Sequence, residues 1–304
     1  LAAVRLFCLT KGYSNDVLHA GLRLRRPPRR LWAGSVVADL TPDERAAAVQ
    51  AISDASYFRF PNLLDPALCD ELTSLANRSS GYPSPERSDG GLVRFRDSPE
   101  SAQVKMFEDQ IASARPVQEL VADPGLLDLA QAYLQCEPIL AHTALWWTRA
   151  HGSTDQTRVS AGQLFHFDLD RVKWLKFLIY LTDVDESTGP HVVVSRSHRS
   201  GSLPWQLGKR GYVRYTDSEV LDHYDREDIV ELTGPRGTVL AVDTRALHRG
   251  KPLQHGERLI LGIEYSDSLL GGSYQRIDPV VVQTDSLWRA AVHLPHTYRR
   301  WVLN

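Results

Sequence analysis

The chain has 304 residues, 42% of them hydrophobic and 24% charged, which supplies ample material for a core and rules out a disordered or fibrous chain. A formal net charge of −2 excludes the strong basic excess of a dedicated nucleic-acid binder. The three cysteines, Cys8, Cys69 and Cys136, form neither an even disulfide framework nor a CxxC motif, so a reducing, cytoplasmic setting is expected.

No apolar run reaches the roughly 18–20 residues that span a bilayer. LAAVRLFCLT is short, interrupted by Arg5, and without a signal-peptide cleavage pattern. The chain opens on Leu1 rather than Met, so it does not define the native N-terminus. Residues 1–42 read as an N-terminal extension, with Arg23, Arg25, Arg26, Arg29 and Arg30 clustered around a Pro-Pro pair. Two readings stay open for residues 23–30: a solvated arm packed on the body, or a weak peripheral contact with an anionic partner.

From residue 43 to 304 the chain reads as a single domain. Thr41 is placed as an N-cap with Pro42 at the first helical position and acids in the first turn. A short strand ending at Pro61 precedes a helix opening at Asp65-Pro66. Residues 79–100, rich in Ser, Gly, Pro and charge, read as a long loop or flap, and a further helix carries Pro124 near its start. After Pro138, strands are expected near ILAHTALWWTRA, GQLFHFDLD, WLKFLIYLTD, HVVVSRS, TVLAVDT and RLILGIEYS. Helices first and closely spaced strands later predict an α+β domain: an antiparallel sandwich or barrel with helices along one side.

Two His-x-Asp triplets occur. His223-Tyr224-Asp225 lies among Asp222, Arg226, Glu227 and Asp228 and reads as a solvated face. His166-Phe167-Asp168 lies between apolar residues in an alternating stretch, so both side chains point one way if the segment is extended. A buried carboxylate needs a partner, and a metal ion supplies one. The third ligand is placed at His248, where TVLAVDT runs toward it; His255, in the following turn, is the rival. Two histidines and one carboxylate with open positions form the facial set of non-haem Fe(II) oxygenases.

Arg258 is expected to return beside the metal through a hairpin. One face of its strand holds Arg258, Ile260, Gly262 and Glu264, and the other holds Leu259, Leu261, Ile263 and Tyr265. The arginine fork suits a carboxylate, with Gly262 leaving room. On WLKFLIYL, the mixed face of Trp174, Lys176, Leu178 and Tyr180 is directed into the barrel. Lys176 and Tyr180 are therefore candidates for the carboxylates of a cosubstrate, with Lys176 snorkelling to the barrel mouth as the competing reading.

His166-Phe167-Asp168, His248 and Arg258, with TGPHVVVSRSHR at 188–199 between them, resemble the phytanoyl-CoA dioxygenase-like branch of the Fe(II)/2-oxoglutarate oxygenases over roughly residues 55–270. The resemblance implies a double-stranded β-helix (a jelly-roll, cupin-like core), iron on His166, Asp168 and His248, and the distal carboxylate of 2-oxoglutarate on Arg258. It further implies O2 as cosubstrate and release of succinate and CO2. Ser195-Arg196 stands where the family usually has Pro-Gly. Retention of Asp168 favours hydroxylation over halogenation, with desaturation, ring formation and epimerisation still open.

A small-molecule substrate is expected, polar in character, such as a natural-product or glycan-type intermediate. Its candidate contacts are His198, Arg199, Trp205 and Trp147, with Tyr82, Arg94 and Gln206 also near the presumed mouth; His142, Trp146 and Trp147 read either as core or as a substrate platform, and His191 as a packing residue. The alternative readings are a cupin-like metal hydrolase or isomerase that does not use O2, and a non-catalytic binding module contacting its partner through the arginine-rich arm. Oligomeric state is not encoded in any of these motifs.

Overall fold

The computed structural model describes residues 2–86, 89–151, 162–169, 171–211, 213–270 and 275–304. In chain order its strands are β1 (Tyr57–Arg59), β2 (Tyr82–Ser84), β3 (Gln103–Phe107), β4 (Ile139–Arg149), β5 (Trp174–Tyr180), β6 (His191–Val194), β7 (Ile229–Leu232), β8 (Val239–Val242), β9 (His248–Gly250), β10 (Glu257–Ser266), β11 (Ile277–Val280) and β12 (Trp301–Leu303). The larger sheet has the order β1-β8-β5-β10-β4-β3-β2, and its neighbours pair antiparallel. The smaller sheet has the order β7-β6-β9, while β11 and β12 form a separate parallel pair. The larger and smaller sheets form the jelly-roll core of a double-stranded β-helix.

Period-two alternation assigns each face. On β10, Leu259, Leu261, Ile263 and Tyr265 enter the main core beneath the helices, whereas Ile260 belongs to the apolar cluster between the sheets. β5 divides likewise: Leu175, Phe177 and Ile179 face the helices, and Leu178 and Tyr180 face inward. Burial of each such Leu or Phe is worth about 1.5–3 kcal/mol relative to exposure, which fixes the strand registers.

The helical half follows its capping signals. Helix Pro42–Ala55 opens with a reciprocal capping box between Thr41 and Glu44, and helix Pro66–Arg78 is capped by Asp65. The single helix expected around Pro124 is instead two, Arg115–Val121 and Pro124–Leu134, divided where Asp123 caps the second by accepting from the Leu126 N–H. The stretch 79–100 is not all loop, because β2 adds an edge strand against β3.

Residues 2–22 are helical, as Ala2–Thr10 and Tyr13–Leu22. Phe7 packs against Phe167 with ring centroids 6.1 Å apart, and Asn15 Nδ2 donates to the Val172 carbonyl at 2.9 Å. The arginine-rich segment lies along the body: the Glu137 N–H donates to Arg26 O at 2.9 Å, and Arg29 Nε reaches Glu137 Oε2 at 3.4 Å. None of the described helices is long and apolar enough to cross a membrane, and the three cysteines are unpaired and buried.

Candidate metal centre

GQLFHFDLD does not form a continuous strand among its described residues. Phe165 and His166 make only isolated bridges, to Tyr215 and His248, and the Asp168 N–H donates to Thr244 O at 2.9 Å. Backbone pairing to two different partners nevertheless brings His166 and Asp168 to one point. Phe165 and Phe167 turn the other way, into the apolar cluster behind the smaller sheet.

One ligand atom from each of His166, Asp168 and His248 lies within 4.8 Å of the other two. Asp168 Oδ1 is 3.8 Å from His166 Nε2, and Asp168 Oδ2 is 3.7 Å from His248 Nε2. Each imidazole is held through its other nitrogen: His166 Nδ1 bonds Leu164 O and His248 Nδ1 bonds Ala246 O, both at 2.9 Å. A carbonyl only accepts, so Nδ1 carries the proton in both rings and Nε2 turns its lone pair to the common point. Burial, then the neighbouring His248, pushes His166 down to about 3; burial also lowers His248. Burial alone would raise Asp168, but Lys176, then His248 and His166, hold it well below the usual carboxylate range. Two neutral imidazoles and an anionic oxygen constitute a divalent-cation donor set.

Lys176 Nζ lies 3.1 Å from Asp168 Oδ2 and 3.4 Å from Glu264 Oε2. It is therefore joined to a ligand carboxylate, which differs from the expectation of a lysine directed at the cosubstrate. Tyr180 also differs from expectation: it is fully buried, its hydroxyl donates to Leu232 O at 2.7 Å and accepts from the His191 N–H at 3.1 Å, and it does not reach the cavity.

The triad opens onto a cavity of about 840 Å³. Arg258 lines it, is 4% exposed, and has no hydrogen-bond partner at Nε or Nη1 among the described residues. Desolvation lowers this guanidinium to about 10. A buried arginine fork aimed into a cavity without an acceptor is costly, and a carboxylate bound there would satisfy it. Arg258 does not reach the site through a one-sheet hairpin. His248 starts β9 in the smaller sheet and Arg258 lies on β10 in the larger, so the turn between them crosses from one sheet to the other. The room beside Arg258 is left by Gly250, where an added Cβ would stand 3.4 Å from Arg258 Nη2. Gly262 instead admits the Trp146 ring, whose Cζ3 would be 2.8 Å from a Cβ there.

The four proposed substrate contacts lie elsewhere. Trp147 is in the main core, stacked on Phe95 at 5.1 Å between centroids. His198 is buried beside Asp243 and Arg245, Arg199 pairs with Asp54 near the end of helix Pro42–Ala55, and Trp205 is 49% exposed at the start of a short helix. The cavity wall comes instead from Tyr82, Gln103, Lys105, Phe107, His142 and Trp146. The alternation of QVKMF, with Val104 and Met106 fully buried and its odd positions turned to the cavity, is the signal that identifies three of these.

Ser197 of the Ser-His-Arg segment has a structural position. Its hydroxyl donates to Val194 O at 2.7 Å and accepts from the Leu247 N–H at 2.8 Å, one residue before His248. Gly189 (φ +80°) permits a contact that a Cβ would close, since Leu253 Cδ1 would lie 2.4 Å from it.

The fold and donor set define a jelly-roll metalloprotein with a facial His-Asp-His site. The family model of phytanoyl-CoA dioxygenase (PhyH) matches residues 56–255. The chain belongs to that family, whose members use Fe(II), 2-oxoglutarate and O2. Among solved structures, the epimerase SnoN in complex with Fe3+, alpha ketoglutarate and nogalamycin RO is similar at 17% identity and a TM-score of 0.50, over 75% of this chain and 85% of that one. EctD from S. alaskensis in its apoform is similar at 20% identity and a TM-score of 0.50, over 78% of this chain and 83% of that one. At these identities the likeness is one of fold. No curated protein matches the chain.

Proposed function

We propose that this chain is an Fe(II)- and 2-oxoglutarate-dependent dioxygenase that hydroxylates a polar small molecule, with release of succinate and CO2. His166, Asp168 and His248 hold the iron, and Arg258 holds the distal carboxylate of 2-oxoglutarate. The observation that carries this reading is Arg258: a buried guanidinium, unpartnered at two nitrogens among the described residues, facing the cavity that contains the triad. A Lewis-acid hydrolase or isomerase has no use for such a group.

Iron bound here supplies the oxidation, coupling O2 and 2-oxoglutarate breakdown to attack on a substrate C–H bond. The chain's own contribution is placement. The Leu164 and Ala246 carbonyls fix both imidazole tautomers, and Lys176 steadies Asp168 as an anion. Arg258 selects a dicarboxylate of fixed length by gripping its far end. The buried Leu178 and Ile260 give the cavity wall an apolar patch that disfavours bulk water. Retention of a carboxylate at 168, which leaves no ligand position for a halide, supports hydroxylation.

Iron stoichiometry with succinate release tests this. One Fe(II) per chain and iron-dependent succinate formation are expected, and both should fall to background in Asp168→Ala. Ordinary succinate formation by Asp168→Ala would refute the ligand assignment.

A further inference from the structure

We infer that the outer half of the cavity reads a carboxylate on the substrate, held by the Lys105 ammonium against an aromatic wall. This rests on the metal-centre reading above and goes beyond it by naming the chemical class of the substrate.

Lys105 lies on β3 between Gln103 and Phe107, and all three line the cavity while Val104 and Met106 fill the core. In the sheet Lys105 stands opposite Trp146, which stands opposite Ile260. Its Nζ lies 5.1 Å from the Phe107 ring centroid and 5.2 Å from that of Trp146. Tyr82 extends the aromatic surface, 5.5 Å from Phe107. Two rings favour a cation there but do not neutralise it.

Two other cations of the wall already have carboxylate partners. Arg300 pairs with Glu108 through two contacts, 2.8 and 3.2 Å, and Lys176 sits between Asp168 and Glu264. Among the described residues no carboxylate lies within ion-pair distance of Lys105, although it faces the same cavity. Burial, with the nearby charge of Lys176, pulls its ammonium down to about 8. An anion bound beside it relieves that cost.

Arg258 is two strands and two residues away, which at ladder spacings is about 12 Å between Cα atoms. In the reading above, 2-oxoglutarate takes Arg258 with one carboxylate and the metal with the other. Lys105 then belongs to the second molecule in the cavity. Phe107, Trp146 and Tyr82 suit a flat or apolar body, and the Gln103 and Gln275 side chains at the wall suit neutral oxygens on it. The substrate is accordingly a carboxylic acid with an aromatic or cyclic body.

The test uses iron-loaded protein saturated with 2-oxoglutarate without oxygen, titrated calorimetrically with benzoate and, separately, with benzamide. Benzoate is expected to bind at least tenfold more tightly. Lys105→Met should erase the preference and Lys105→Arg should keep it, with the visible 2-oxoglutarate band unchanged in both. Absence of benzoate binding, equal binding of the two probes, or a preference that survives Lys105→Met overturns the inference. Absence of the band in the unaltered protein counts against the metal-centre reading alone, because the Lys105→Met comparison is still read from the two probes.

Discussion

His166 and His248 hold each other backbone to backbone: the His166 N–H donates to His248 O at 2.9 Å, the His248 N–H donates to His166 O at 2.8 Å, and their ring centroids are 4.3 Å apart. Two candidate ligands 82 positions apart in sequence are thus registered by one ladder rung rather than by loops. A metal ion that binds these residues in the folded chain should stabilise the fold by mass action. At a free ion concentration 100 times Kd the gain is about 2.7 kcal/mol. Thermal unfolding with and without Fe(II), in the absence of oxygen, should show that gain in the unaltered protein and none in His248→Ala.

Lys176 separates two roles that its position in the sequence left open. Joined to Asp168 and Glu264, it is placed to influence a bound metal through Asp168. Lys176→Met should weaken Fe(II) affinity by roughly 10–100-fold, as loss of a group orienting a ligand does. Unchanged iron affinity with weakened 2-oxoglutarate binding would restore the cosubstrate role.

Tyr180→Phe should leave 2-oxoglutarate affinity unchanged while costing about 1 kcal/mol of stability, since its hydroxyl serves Leu232 O and the His191 N–H. Chemical denaturation and a cosubstrate titration on the same variant separate the two effects.

Arg196 adopts φ +65°, the left-handed region that favours glycine. Its side chain pairs with Asp228 at the surface, a contact of small worth. Arg196→Gly should therefore stabilise the protein by about 1 kcal/mol, read as a higher denaturant midpoint with iron affinity unaltered.

The buried Asp243–Arg245 pair anchors the turn that leads to His248. Arg245 Nη2 lies 2.6 Å from Asp243 Oδ2, which also accepts from Tyr133 at 2.6 Å. Burial alone would raise the Asp243 carboxyl, but Arg245 holds it well below its ordinary value of 3.8. The sign follows: the contribution to stability is full above pH 3.8 and is lost as the pH falls below it. Urea midpoints from pH 7 to 3 should fall for the unaltered protein as acid is added. Asp243→Asn should start lower, by about 3–5 kcal/mol for a broken buried pair, and should lack that part of the acid dependence.

The candidate site residues were legible because each combines a charged or coordinating group with an apolar, alternating surround. His166, Asp168, His248 and Arg258 all have this signature, and so does the divided face of β10. What was not legible depends on which sheet a strand joins. Nothing local states that β9 leaves the sheet of β8, so the path from His248 to Arg258 reads as a plain hairpin. The substrate wall was misplaced for a related reason: Trp146 and Trp147 are adjacent, and only the pairing of Lys105 with Trp146 decides which of them meets the cavity. His198 and Arg199 follow the motif closely in sequence, yet His198 is buried near Asp243 and Arg245, Arg199 pairs with Asp54, and neither lines the cavity.

The most direct measurement is an oxygen-free titration of the Fe(II)-loaded protein with 2-oxoglutarate, following the weak visible metal-to-ligand charge-transfer band of a chelated keto acid. Saturable growth of the band is predicted, with the midpoint displaced by about 30-fold or more in Arg258→Leu, the scale of a lost buried charge pair. Bound iron with no band at any 2-oxoglutarate concentration would contradict the account.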